Sequence, residues 1–299
     1  MNNAILFFFN INVSGIKKIN DNYYFKYLNN NYGIYLYNRD ITDSIHLYNI
    51  NLKLLNNGVL GYIIMLTKTR EILFIYEGKH YILMKLPNIN NRKITYDDII
   101  SFNIEIGNDY KKLDKSNWGT SWANKIDFIE YQFNQMKHKY QIIDNYIDYY
   151  IGIWENAISY FNNNVNLNQK KYICHKRISI DMDLYEFLNP LNFIVDFKER
   201  DIGEYLKSFI INRNFSLYSL EKYLNGLSRD SIILITSRIL FPSYFFDLYE
   251  SVIIDNNNEE KVLEIADKNN NILILLNYIF NKYKNLNIPY IDWIKKEIS

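Results

Sequence analysis

Cysteine is almost missing: Cys174 is the one thiol in 299 residues. A lone thiol closes no internal disulfide and builds no cysteine zinc cage, which suits synthesis in a reducing, cytoplasmic interior. Histidine is nearly as scarce, and His46, His80 and His138 show no ligand spacing. Net charge is close to absent as well, because 34 Lys plus Arg face 33 Asp plus Glu and leave +1. No global field therefore draws in nucleic acid or anionic lipid. The apolar run Ala4 to Phe9 has no basic residues ahead of it and is far too short to span a bilayer. It reads as a first strand, and membrane insertion is not expected.

What the chain does have is apolar bulk. Hydrophobic residues make up 48% and charged residues 22%, within the range of globular proteins, and tyrosine alone contributes 28 residues. The length suffices for one large bilobal domain or two ordinary ones. The abundance of Asn, Ile, Lys and Tyr matches an AT-rich coding bias, so Asn runs such as Asp255 to Asn258 read as loops.

Periodicity divides the chain into a β-rich start and an α-rich remainder, an α+β reading. From Met1 to Leu86 short apolar runs are broken by Asn and Gly, the pattern of an antiparallel sheet with one helix. Glu71 to Leu86 holds two such runs around Glu77 and Gly78, a hairpin with glycine at the turn. Pro87 and the polar stretch after it form a hinge, which puts a small lobe at 1–87 and a helical lobe at 88–299. Trp118, Trp122, Ile126, Ile129, Phe133 and Met136 mark one helical stripe, and Ile147, Tyr150, Ile151, Trp154, Ile158 and Phe161 a second. Further helices are expected at Asp201–Asn212, Ser216–Leu224, Ser231–Leu240 and Ile272–Tyr283, with Ser216 and Ser231 as caps.

Residues 172–201 hold the densest polar group flanked by strands, YICHKRISIDMDLYEFLNPLNFIVDFKERD. The order of helix, strand, His-x-x, loop, strand and Asp-Phe resembles the catalytic region of protein kinases and aminoglycoside-phosphotransferase-like kinases. More closely, the chain resembles the spore-coat kinase-like proteins of the YutH type in the CotS-like branch. NWGTSWANKIDFIEYQF from Asn117, LNPLNFIVDFKERDIGEYLKS from Leu188, SRILFPSYFFDLYE from Ser237 and IPYIDWIKK from Ile288 carry that resemblance. It implies a bilobal kinase-like fold and a place in the spore coat, with coat proteins as partners.

Phosphoryl transfer needs a lysine on the phosphates, an acid near the acceptor hydroxyl, and an Asn and an Asp on magnesium. The resemblance aligns His175 with the start of the His-x-Asp loop, which puts Arg177, unable to accept a proton, where the acid belongs. Met182, with no hard oxygen, falls at the metal-binding Asn. Asp196 matches the metal-binding aspartate, and Asp201 the aspartate that braces the catalytic loop. Tyr37 falls at the lysine position, with Lys26 or Lys53 as substitutes. Only Phe197 to Arg200 separate Asp196 from Asp201, leaving little surface to hold a protein substrate.

Two functions follow from that pattern. One is a pseudokinase acting by protein interaction; the other is a small-molecule phosphotransferase using ATP and magnesium through Asp181 or Asp183 beside Asp196. Each motif also has a plainer reading. Two acids in a loop are commonly just solvated, Asp196 serves equally as a cap, and adjacent Cys174 and His175 point to opposite faces of a strand and form no dyad. The basic group His175, Lys176, Arg177, Lys198 and Arg200 reads as ion-paired with Asp181, Asp183 and Asp201, with an anion pocket as the alternative. Trp118, Trp122 and Trp293 read as core anchors.

Overall fold

The computed structural model describes residues 1–136, 139–212, 217–255, 258–291 and 294. Ser216, Trp293, His138 and part of the Asp255–Asn258 run lie outside the described residues. By internal contacts the chain forms two units. One comprises 1–114, 172–176 and 181–195; the other comprises 115–171, 177–180 and 196–299.

The first unit begins with a helix, α1 (Asn2–Phe9), where a strand was expected. A continuous apolar run has no period that separates helix from strand. Here Asn10 ends it in the left-handed region at φ 59°, a helix-stop conformation. Ile5 is fully buried, and Phe8 and Phe9 pack on Phe74 at 5.2 and 5.3 Å, so α1 covers one face of the sheet.

That sheet contains β1 (Lys17–Ile19), β2 (Asn22–Tyr27) and β3 (Asn30–Leu36), followed after α2 (Asp43–Asn56) by β4 (Ile63–Met65), β5 (Phe74–Tyr76) and β6 (Lys79–Lys85). The order is β1-β2-β3-β6-β4, with β5 paired to β6, and all pairings are antiparallel. The hairpin around Glu77 and Gly78 is present, both residues taking positive φ (49° and 74°), as a tight primed turn requires. Leu28 and Asn29 do the same between β2 and β3. The unit is completed by α3 (Tyr96–Ser101), closed by a Thr95–Asp98 capping box, and by β7 (Glu105–Ile106).

The second unit opens with the two long helices that the apolar stripes predict, α4 (Trp118–Met136) and α5 (Gln141–Asn164). Trp118 and Trp122 are core residues, 1% and 4% exposed, and Trp122 stacks on Phe241 at 4.4 Å. Gly119 is needed where the helices meet, since a Cβ there would lie 1.9 Å from Asn162 Oδ1. After α5 the chain returns to the first unit, to which most of β8 (Lys171–His175) and β9 (Phe193–Asp196) and all of α6 (Leu184–Phe187) belong; β8 lies between β7 and β9 in a three-stranded sheet.

The remaining helices are α7 (Glu199–Asn212), α8 (Leu217–Leu224), α9 (Arg229–Leu240), α10 (Ser243–Asp255) and α11 (Lys261–Lys282). The cap of α9 is Ser228, not Ser231: Ser231 N–H donates to Ser228 Oγ at 3.2 Å, while the Ser231 hydroxyl donates to buried Glu199 at 2.6 Å. Helix α11 starts well before Ile272 because its first turns are polar and hide the period. Residues Arg229–Ile254 are long and apolar enough to cross a membrane, yet 78% of that stretch is buried inside the protein, as befits core helices.

Candidate functional site

Strand β9 runs Phe-Ile-Val-Asp with every residue buried, and it delivers Asp196 to the start of the helical unit at 0% exposure. Helix α7 begins at Glu199, so only Phe197 and Lys198 separate it from β9, and its first turn brings Arg200 back onto the same carboxylate. Three N–H groups serve the two oxygens of Asp196, that of Trp118 being shared between both. Oδ1 takes Trp118 Nε1 at 2.9 Å and Phe197 N at 2.7 Å; Oδ2 takes Trp118 Nε1 at 3.0 Å and Arg200 Nη1 at 3.0 Å. Burial pushes this carboxyl up, and Arg200, the Trp118 N–H and Arg238 pull the other way.

The surroundings extend that arrangement into a buried charge network. The Arg238 guanidinium lies 5.3 Å from the Trp118 ring, 5.7 Å from Trp122 and 5.4 Å from Phe241, and donates to Glu204. Lys207 donates to Glu204 Oε1 and to the carbonyls of Arg238 and Phe241, each at 3.0 Å. Burial lowers the Lys207 amine to about 8, with Glu204 opposing. For Glu204, burial raises the carboxyl, but Arg238, Lys207 and Arg200 outweigh it and hold it at about 2. Asp201 is buried in the first turn of α7, where a negative charge suits the helix dipole. Trp118, Glu204, Lys207 and Arg238 carry this network without matching any kinase motif. The residue types alone did not mark them; the three- and four-residue spacing of Arg200, Glu204 and Lys207 on one helix face is the signal that could have.

The other sequence candidates go to different tasks. Arg177 forms a bidentate pair with Asp247, at 2.6 and 3.2 Å, and Arg200 pairs with Asp196 at 3.0 Å. Of the acids expected to face the basic group, Asp183 pairs instead with Lys93 at 3.2 Å, and the Asp181 carbonyl accepts from the same ammonium. His175 is 1% exposed, donates Nε2–H to Phe187 O at 2.9 Å, and stacks on the Phe187 ring at 4.2 Å. Met182 is 4% exposed, and its carbonyl accepts from Ile94 N–H. Tyr37 is buried, its hydroxyl donating to Asp40 O at 3.1 Å. Lys26 stands exposed on β2.

Two contacts within the first unit were not anticipated. Arg39 donates to Phe193 O at 2.8 Å and Leu191 O at 3.3 Å, tying the exit of β3 to β9. Tyr185 donates to Pro87 O and Ile89 O, at 3.3 and 3.2 Å, fastening the segment read as a hinge.

Comparison with known proteins agrees with this architecture. A family model described as "Spore coat putative kinase YutH" matches residues 2–273. The endospore coat-associated protein YutH of Bacillus subtilis is 28% identical over 231 residues, covering 68% of this chain and 67% of its own. Among solved structures, an aminoglycoside phosphotransferase from Alicyclobacillus acidocaldarius superposes with a TM-score of 0.65 at 7% identity, covering 92% of this chain and 93% of its own. Spectinomycin phosphotransferase with ADP and spectinomycin gives 0.57 at 11%, covering 88% and 91%; amicoumacin kinase with AMP-PNP, calcium and its substrate gives 0.54 at 10%, covering 89% and 90%. The fold is that of kinase-like phosphotransferases, α+β, as the sequence pattern implied.

Proposed function

The chain belongs to the YutH family of spore-coat kinase-like proteins, and from that premise we propose that it is a pseudokinase acting by protein interaction in coat assembly. The observation that carries the proposal is the enclosure of Asp196. An ionised carboxylate has about four lone-pair sites. Here three N–H groups, from Trp118, Phe197 and Arg200, occupy the two oxygens, the Trp118 N–H being shared between them, and the Arg200 guanidinium supplies the cation beside them.

Magnesium requires near-octahedral oxygen donors and keeps part of its water shell. A carboxylate with no exposed surface, both oxygens already hydrogen-bonded and a guanidinium beside it does not fit that demand, nor does the Met182 thioether. The guanidinium of Arg177, held charged by Asp247, accepts no proton from a hydroxyl. The residues present thus do not fit a magnesium-bound nucleotide at the positions that hold one in active kinases. The two-residue span between β9 and α7 leaves no segment on which a protein substrate would lie.

The test is thermal unfolding of the purified chain with and without ATP and magnesium, since a ligand bound only by the native state raises its stability. No shift at millimolar nucleotide is expected. A magnesium-dependent rise, together with transfer of phosphate from ATP to any acceptor, overturns the proposal. For the interaction role, the chain is expected in the coat fraction of spores; its absence there removes that half.

A further inference from the structure

Away from the aspartate, the first unit holds a cavity of about 500 Å³ against the edge of its sheet. It is bounded by the β2–β3 turn, the end of α2, the loop Gly58–Gly61, the first residue of β4 and the end of β6. Its size is that of a small-molecule pocket.

The lining has a marked chemistry. Leu60 and Ile63 stand 67% and 44% exposed, large apolar side chains open to water at its rim, with Leu55 beside them. Side chains paired across antiparallel strands share a face, and the register sets Lys85 between Ile63 and Tyr32. Lys85 is half-buried, and among the described residues no carboxylate pairs with its ammonium. None of the lining residues is acidic, and Asn31 and Asn88 add amides. A half-buried cation without a counterion, set in an apolar rim, is complementary to an anion carried on an apolar body.

We propose that this cavity binds a small organic acid with an apolar body, its carboxylate on Lys85 and its apolar part against Leu60 and Ile63. The site is independent of phosphoryl transfer, so it stands or falls apart from the pseudokinase proposal.

The experiment is a fluorine NMR titration of the full chain with para-trifluoromethylbenzoate, with the neutral para-trifluoromethylbenzamide as control. The acid is expected to bind about tenfold more tightly than the amide, the discrimination of one charge-assisted hydrogen bond. Lys85→Met should erase that preference. Leu60→Asp, at an exposed position that leaves the fold intact, should abolish binding. The proposal is overturned by equal binding of acid and amide, by no binding at millimolar acid, by a preference that survives Lys85→Met, or by Leu60→Asp binding like the parent.

Discussion

The two units handle polarity in opposite ways. In the sheet-bearing unit Arg39 serves a backbone carbonyl, Phe193 O, and Lys93 a surface pair with Asp183. In the helical unit, Lys171, Asp196, Glu199, Asp201, Lys207 and Arg238 are all buried, and among the described residues no Asp, Glu, Lys or Arg of the first unit is. Buried charges that are fully hydrogen-bonded confer little net stability, yet removing one partner strands the other in a dry environment. The lesson is that Asp196 sits in the unit where loss of a charge does the most structural harm.

The sharpest way to break this contrast is Asp196→Ala. It leaves Arg200 and the Trp118 N–H without their acceptor, and a loss of about 3–5 kcal/mol in urea unfolding is expected. A loss below about 1 kcal/mol would show the carboxylate to be a passenger in the core. Next in size is the acid limb of stability. Glu204 is held at about 2 against an ordinary 4.5, so the unfolded chain binds more protons in that interval. Stability is present above pH 4.5 and is lost as pH falls towards about 2, by about 3 kcal/mol, and Glu204→Gln should flatten that limb. Lys93→Ala, in the other unit, should cost about 0.5 kcal/mol, since both partners of its ion pair are roughly half exposed. Smallest is a gain: Leu28 is held at φ 45° in its turn, and Leu28→Asn should add about 0.5 kcal/mol by thermal unfolding because Asn tolerates that conformation.

Much of this was legible in the chain, and the rest failed for identifiable reasons. The helices α4 and α5 announced themselves because their apolar residues fall on one face, and the hairpin of β5 and β6 because Glu77-Gly78 interrupts two apolar runs. Helix α1 was misread because all of Ala4 to Phe9 is apolar and carries no period. Helix α10 lacked a sequence signal of its own, being apolar on most sides. At the site, the resemblance aligned Arg177, Met182 and Asp196 with motif positions. The partner of Asp196 across 78 residues, Trp118, could not be found that way, because its aromatic body placed it in a core stripe and its N–H was left out of the reading. The same holds for Arg177, whose acid, Asp247, lies 70 residues on.

The enclosure of Asp196 also sets a direction on change over time. Under the proposed function, an acid at position 177 and an amide at 182 would supply two groups that phosphoryl transfer needs, yet Asp196 would still be held by Trp118, Arg200 and the Phe197 N–H. Freeing it means removing Arg200, which strips a buried anion of its countercharge before any metal is there to replace it. Removing Arg200 alone thus passes through a less stable chain. A bond that looks like mere core packing therefore resists piecemeal change, and a designer seeking a metal-binding aspartate here would have to alter that first turn of α7 and its tryptophan together.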